Sequence, residues 1–365
     1  MDKTAKVKQK IEEIRKISGA PYLDVSFSKQ GKEVFRCVLG DNATGQERLR
    51  MYSCSKPVTA VVAMRLIEEG KLSLDDEVEK YLPEIANCFI LSETGERLSL
   101  QRKMTIRHLF TMTAGFTYNV NTQQIRDLAQ QNPNATLKNM ISAFVKSPLS
   151  FEPGERFQYS LCHDVLAAVL EVIENKRFSQ IANEKVFQPL GMKDSTFENV
   201  STGLIEQYMS TSDGNVSLME NVNELLPTLA YESGGAGLIS TVDDYAKFAR
   251  ALAVGGVGEN GVRIIGEQAL ATLSREQIGE VSANNQFTCV QGAEYGYGLG
   301  VRVRKTATAW GLSAGEYGWD GAAGSYLMID PTTKNSVVMG MNVRNWPAVF
   351  KDKHLEIVRL LYENF

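Results

Sequence analysis

Ser53 and Lys56 are spaced to meet. Ser53-Cys54-Ser55-Lys56 stands at the mouth of an apolar stretch, Pro57 to Glu69. Pro57 suits the first turn of a helix, where a missing N–H costs nothing, and Gly70 suits its end. Three residues apart on a helix, the serine and the lysine point to one face. A serine hydroxyl is a weak nucleophile until a base takes its proton. A lysine whose proton affinity falls on burial can be that base. The free N–H groups and positive dipole end of a helix start suit a developing oxyanion. Taken alone, the pattern is more often an N-capping serine followed by a surface lysine. The apolar flank argues that this turn is buried.

Two other places carry chemistry. Tyr159 follows a Pro153-Gly154-Glu155 turn and precedes an apolar helix. A phenol beside a cationic lysine is held closer to its anionic form, from which it can relay a proton. Gly318-Trp319-Asp320-Gly321-Ala322 is rich in small residues beside a strand. Small residues let a substrate carbonyl lie against the strand edge, where an N–H can bond it. Ordinary core packing is the alternative reading of both places.

Composition narrows the field. The 365 residues suffice for one large domain or two smaller ones, and the net charge of −4 gives no case for nucleic acid or an anionic membrane. No apolar run approaches the roughly 20 residues of a membrane helix. Met1 to Lys8 carries charge without the apolar core of a secretory signal, so a cytoplasmic location is expected. Cys37, Cys54, Cys88, Cys162 and Cys289 are odd in number and irregular in spacing, which predicts reduced thiols. Cys54 is expected to pack into the core, away from Ser53 and Lys56. His108, His163 and His354 share no metal-ligand spacing, and no metal or organic cofactor is implied.

The elements follow from periodicity. Helical spacing predicts a first helix over 2–17, then the chain suggests a hairpin of strands 22–28 and 33–39. A short helix ends near Tyr81, and from Pro83 to about 207 the chain reads as mainly helical, with 119–134 a polar surface segment and apolar helices over 161–174 and 178–187. Ser233 to Gly237 is a close approach of backbone to something unnamed, and Thr241 opens a helix. Residues 276–295 read as a loop-rich insertion. Strands are predicted over 297–304, 316–319, 324–329 and 336–342, and a closing helix over 348–362. Strands at both ends with helices between predict an α+β fold. Its antiparallel sheet is built from both termini, as a discontinuous domain of 1–72 and 230–365. A mainly helical domain, 73–229, is inserted.

Together these segments resemble the serine β-lactamase and penicillin-binding-protein-like superfamily, in particular its class C and family VIII carboxylesterase branch. The resemblance runs through Ser53 to Lys56, Thr105 to Phe116, Phe151 to Glu155 and Tyr159-Ser160. It continues through Pro189 to Met192, Gly234 to Thr241 and Gly318 to Gly321. It implies a β-lactamase/transpeptidase-like fold and an acyl-serine intermediate. Ser53 would be the nucleophile, Lys56 its proton partner and Tyr159 the first member of the Tyr-x-Asn motif. The N–H groups of Ser53 and Ala322 would form the oxyanion hole. Trp319, Asp320, Gly321, Leu161 and Tyr118 would contact substrate, with Phe116 also near.

Two departures bear on the substrate. Leu161 stands where the motif's Asn would offer an amide, and Trp319 where relatives carry a cation for a β-lactam or peptide carboxylate. A site that cannot bond a required polar group rejects substrates that need it. Ester hydrolysis is therefore expected over β-lactam hydrolysis, on a small-molecule ester or amide and without nucleic acid or membrane. A weak β-lactamase, D-amino-acid peptidase or acyltransferase on the same scaffold, or a non-catalytic sensor domain, remain the alternatives.

Overall fold

The computed structural model describes residues 2–220, 226–279 and 292–365. Its centre is a seven-stranded antiparallel sheet. The strands are β1 (Tyr22–Lys29), β2 (Lys32–Gly40), β3 (Tyr295–Tyr297), β4 (Arg302–Arg304), β5 (Tyr317–Asp320), β6 (Tyr326–Asp330) and β7 (Asn335–Met341). Their order is β2-β1-β7-β6-β5-β4-β3. The N-terminal hairpin thus joins the C-terminal strands, with Leu23 opposite Met341 and Lys29 opposite Asn335.

Period-two alternation gives the sheet two buried faces. Along β6, Tyr326 and Met328 enter one core and Leu327 and Ile329 the other. Helix α1 (Lys3–Ile17) and the closing helix α5 (Lys353–Asn364) supply Val7, Ile11, Ile357 and Leu361 to the first. On the second face lie α2 (Ser55–Glu68), α3 (Cys162–Glu174) and α4 (Val242–Ala253). Thr241 caps α4 by accepting from the Asp244 N–H at 3.1 Å. Helix α2 is buried almost all round, as its uniformly apolar composition requires, and packs on α3 and β5.

Several elements differ from expectation. The polar segment 119–134 contains a helix, Gln123–Gln131, capped by Thr122 and anchored by Ile125, its one buried residue. With so few apolar positions its period is hard to read. The region expected to be mainly helical also holds a hairpin, Phe89–Leu91 with Arg97–Ser99. The strand expected over 297–304 is two strands, because Gly300 at φ +83° reverses the chain. The closing helix is broken where Asp352 turns left-handed at φ +63°. Most of the predicted 276–295 insertion, and Cys289, lie outside the described residues. No helix among the described residues is long and apolar enough to cross a membrane.

Candidate active site

Ser53 sits in a 3₁₀ turn, Tyr52–Cys54, that runs straight into α2. Tyr52 adopts φ +45°, a left-handed conformation that costs a non-glycine residue about 1–3 kcal/mol and persists only where surroundings impose it. They do so here. Ser55 Oγ donates to the Tyr52 carbonyl at 2.5 Å and accepts from the Leu238 N–H at 2.9 Å. Ser325 Oγ donates to the Met51 carbonyl at 2.9 Å, and Tyr245 donates to that of Cys54 at 2.7 Å.

Lys56 is fully buried one turn on. Its Nζ lies 3.3 Å from Ser53 Oγ and donates to the Gly235 carbonyl at 2.8 Å. Burial pushes its pKa down from 10.5 to about 7, against the pull of Asp164. The glycine-rich segment is the backbone approach anticipated in the sequence: Gly234 accepts from Thr59 Oγ1 at 2.7 Å, beside the Gly235 contact. Cys54 is buried, and burial raises its thiol to about 12, as suits a packed core residue.

Tyr159 closes the cluster. Its ring lies beneath the lysine, with Nζ 4.5 Å from the centroid. It stacks against Tyr118 at 5.4 Å and Trp319 at 5.6 Å. The Trp319 indole N–H donates to the Tyr159 hydroxyl at 3.0 Å. One expectation reverses here. Burial, not the lysine's charge, dominates the phenol and raises its pKa, and the bonds to Ser53 and Trp319 only partly offset this. The phenol therefore rests protonated, a proton donor rather than a standing base, while the amine near 7 is the group able to accept.

The turn after β5 lies beside the serine. Gly321 N–H donates to the Ser325 carbonyl at 2.7 Å, and the Gly321 carbonyl accepts from the Trp346 indole at 2.9 Å. A side chain at Gly321 would collide with Ser325 Oγ and the Met51 carbonyl, so close packing of this turn on the segment that leads into the Ser53 turn requires glycine. Ser53, Tyr159, Trp319, Asp320, Gly321 and Ala322 line one cavity of about 760 Å³. Its far wall includes Tyr326, Trp346 and Leu355, with exposed Lys351 at the rim. The buried Arg302 beneath is engaged with Asp320 at 2.9 Å, Glu316 at 3.3 Å and the Leu327 carbonyl at 3.0 Å.

The structure thus gathers Ser53, Lys56, Tyr159, Tyr118 and Trp319, and sets Asp320, Gly321 and Ala322 along the same cavity. Leu161 is not brought to it. That residue caps α3, 5% exposed, in the core. Phe116 is likewise buried in the core. Sequence reasoning missed Asp164, Tyr231 and Ser233. Asp164 was detectable as an acidic residue within a mostly apolar helix, where burial is tolerated only with partners. No group of His, Cys, Asp and Glu among the described residues could hold a metal.

A serine, a buried lysine and a tyrosine on this sheet-and-helix frame define a serine hydrolase-type protein. The chain belongs to the beta-lactamase family, whose model matches residues 7–361. Protein Rv1367c of Mycobacterium tuberculosis is 29% identical over 302 residues, 78% of this chain and 74% of that one. Esterase EstB of Burkholderia gladioli is 28% identical over 323 residues, 80% and 76% of the two chains. Among solved structures, EstCE1, described as a hydrolase with promiscuous acyltransferase activity, superposes with a TM-score of 0.81. It is 25% identical and covers 99% of this chain and 98% of its own. Simvastatin synthase LovD of Aspergillus terreus, 18% identical, has a TM-score of 0.81 over 100% and 99% of the chains and shares the fold.

Proposed function

We infer that the chain is a carboxylesterase that acts on small apolar esters through an acyl-Ser53 intermediate. The carrying observation is the surroundings of Ser53. An amine whose pKa burial lowers to about 7 touches its hydroxyl, and Trp319, its N–H donated to Tyr159, stands where the resemblance implies a cation for a substrate carboxylate. The names of EstB and EstCE1 agree with this reading.

The steps balance as follows. Neutral Lys56 takes the Ser53 proton as Oγ bonds to the ester carbon, and the carbonyl electron pair moves to oxygen. The N–H groups of Ser53 and Ala322 bond that oxyanion. As the tetrahedral intermediate collapses, the C–O bond to the alcohol breaks. The departing oxygen takes the Tyr159 proton, which the Lys56 ammonium replaces. Water then attacks the acyl-serine by the same route in reverse, giving the acid and free Ser53.

Two measurements bear on the reading. A short-chain p-nitrophenyl ester is expected to turn over about 10²-fold faster than nitrocefin. Rapid nitrocefin hydrolysis without ester hydrolysis would make the chain a β-lactamase instead. Failure of a fluorophosphonate to label Ser53, read by mass spectrometry, would favour a sensor domain. The pH dependence follows from the base. Since Lys56 must be neutral to accept a proton, kcat/KM is expected to rise with pH and level off above about 7. A profile flat from pH 5 to 9 would remove Lys56 from that role.

A further inference from the structure

Asp164, in the first turn of α3, takes no part in the steps above, yet it is 1% exposed and lies beside them. Its Oδ1 accepts from Ser233 Oγ at 2.5 Å and from the Tyr231 hydroxyl at 3.0 Å. Its Oδ2 completes no side-chain hydrogen bond and abuts Gly235. A methyl group built on Gly235 would stand 2.6 Å from that oxygen and 3.5 Å from Lys56 Nζ. Carboxylate and amine therefore face each other across a bare Cα. The same Ser233 Oγ accepts from the Ala236 N–H at 2.9 Å, so the carboxylate also anchors the loop whose Gly235 carbonyl holds Lys56.

The other titratable groups around the amine carry no charge near neutral pH. Burial raises the thiols of Cys54, to about 12, and Cys162, to about 11. His163 is pushed down to about 3. Tyr118, Tyr159 and Tyr231 are all raised by burial. Asp320, farther off on β5, is paired with Arg302. A buried carboxylate without a counter-charge is costly, and Lys56 is the cation it faces.

Resting on the esterase reading, we propose that Asp164 is a positioning residue whose carboxylate is the counter-charge of Lys56. It holds the amine against Ser53 and keeps it a strong enough base at neutral pH. Burial alone would leave the amine too weak to take a serine proton; the opposed charge restores part of that strength.

The test is the rate of Ser53 labelling by a fluorophosphonate, followed by mass spectrometry from pH 5 to 9, with ester kcat/KM measured in parallel. In Asp164→Asn the ammonium loses its stabilising charge. The acidic limb is expected to move to lower pH by about one unit or more, and the plateau to fall about tenfold. Ser233→Ala, which weakens the ionised carboxylate but spares its side chain, is expected to move the limb the same way by less. It stands in if Asp164→Asn does not fold. An unmoved limb in the folded variant, whatever the loss of rate, would reduce Asp164 to a structural residue. A parent that labels but hydrolyses no ester would instead sink the esterase reading and leave this one testable by labelling.

Discussion

Ser53→Ala is expected to abolish ester hydrolysis and fluorophosphonate labelling while leaving the protein folded. The side chain loses one oxygen, which lies 3.3 Å from Lys56 Nζ and also bonds the Tyr159 and Tyr118 hydroxyls. The turn that carries it is fixed by other groups: the Ser55, Ser325 and Tyr245 hydroxyls and the Leu238 N–H. Modest hydrogen bonds of this kind are worth about 1 kcal/mol each, too little to unfold the chain. Losing the nucleophile removes the covalent path altogether, a fall on the order of 10⁴-fold or more in kcat. The two halves separate cleanly. A melting curve and an ester assay on the same preparation check both. Retained turnover with an unchanged melt would mean that the acyl group never resides on this serine.

The parts of the site that were legible in the sequence are those where local and long-range demands coincide. Ser53 and Lys56 are placed by one helix turn, so their meeting needs only the helical period, and an apolar flank already implies burial. Strands at both termini declared the sheet by alternation, and β1 does pair with β7 across the whole chain. Tyr159 and Trp319 lie 160 residues apart, and their hydrogen bond follows from the fold and not from either neighbourhood. Family likeness supplied that pairing; periodicity had no access to it. The state of the phenol was misjudged for a related reason. Its charge balance depends on how dry the pocket is, and the stacking of Tyr118 and Trp319 against the ring is a tertiary fact. Leu161 was drawn to the cavity by its place two residues after Tyr159. In the structure the chain has begun to turn into α3, and that side chain enters the core. Asp164 went unnoticed because α3 carries three acids, Asp164, Glu171 and Glu174, and periodicity does not tell which of them lies beside Lys56.

Lys56→Met is expected to lower kcat by about 10³-fold, the usual worth of a positioned general base, and to change how stability depends on pH. Methionine keeps the length and apolar stem of lysine, so the walls of α2 stay filled. In the parent, the amine's pKa falls from 10.5 to about 7 on folding. Between those values the unfolded chain binds a proton that the native state does not. The slope of unfolding free energy with pH is then positive, so this residue makes the parent gain stability from pH 7 towards 10.5. The methionine variant lacks that gain. It also leaves Asp164 facing an uncharged thioether. That carboxyl is already raised by burial, and losing the lysine's charge raises it further. A native state that holds its proton above the ordinary carboxylate range loses stability as pH climbs through that window, so the variant is expected to be least stable where the parent improves. Urea unfolding at pH 5, 7 and 9 reads the difference, since titrating groups other than Lys56 and Asp164 contribute to both proteins alike. Parallel stability curves would mean that Lys56 enters the fold already charged, in which case it cannot serve as the resting base for Ser53.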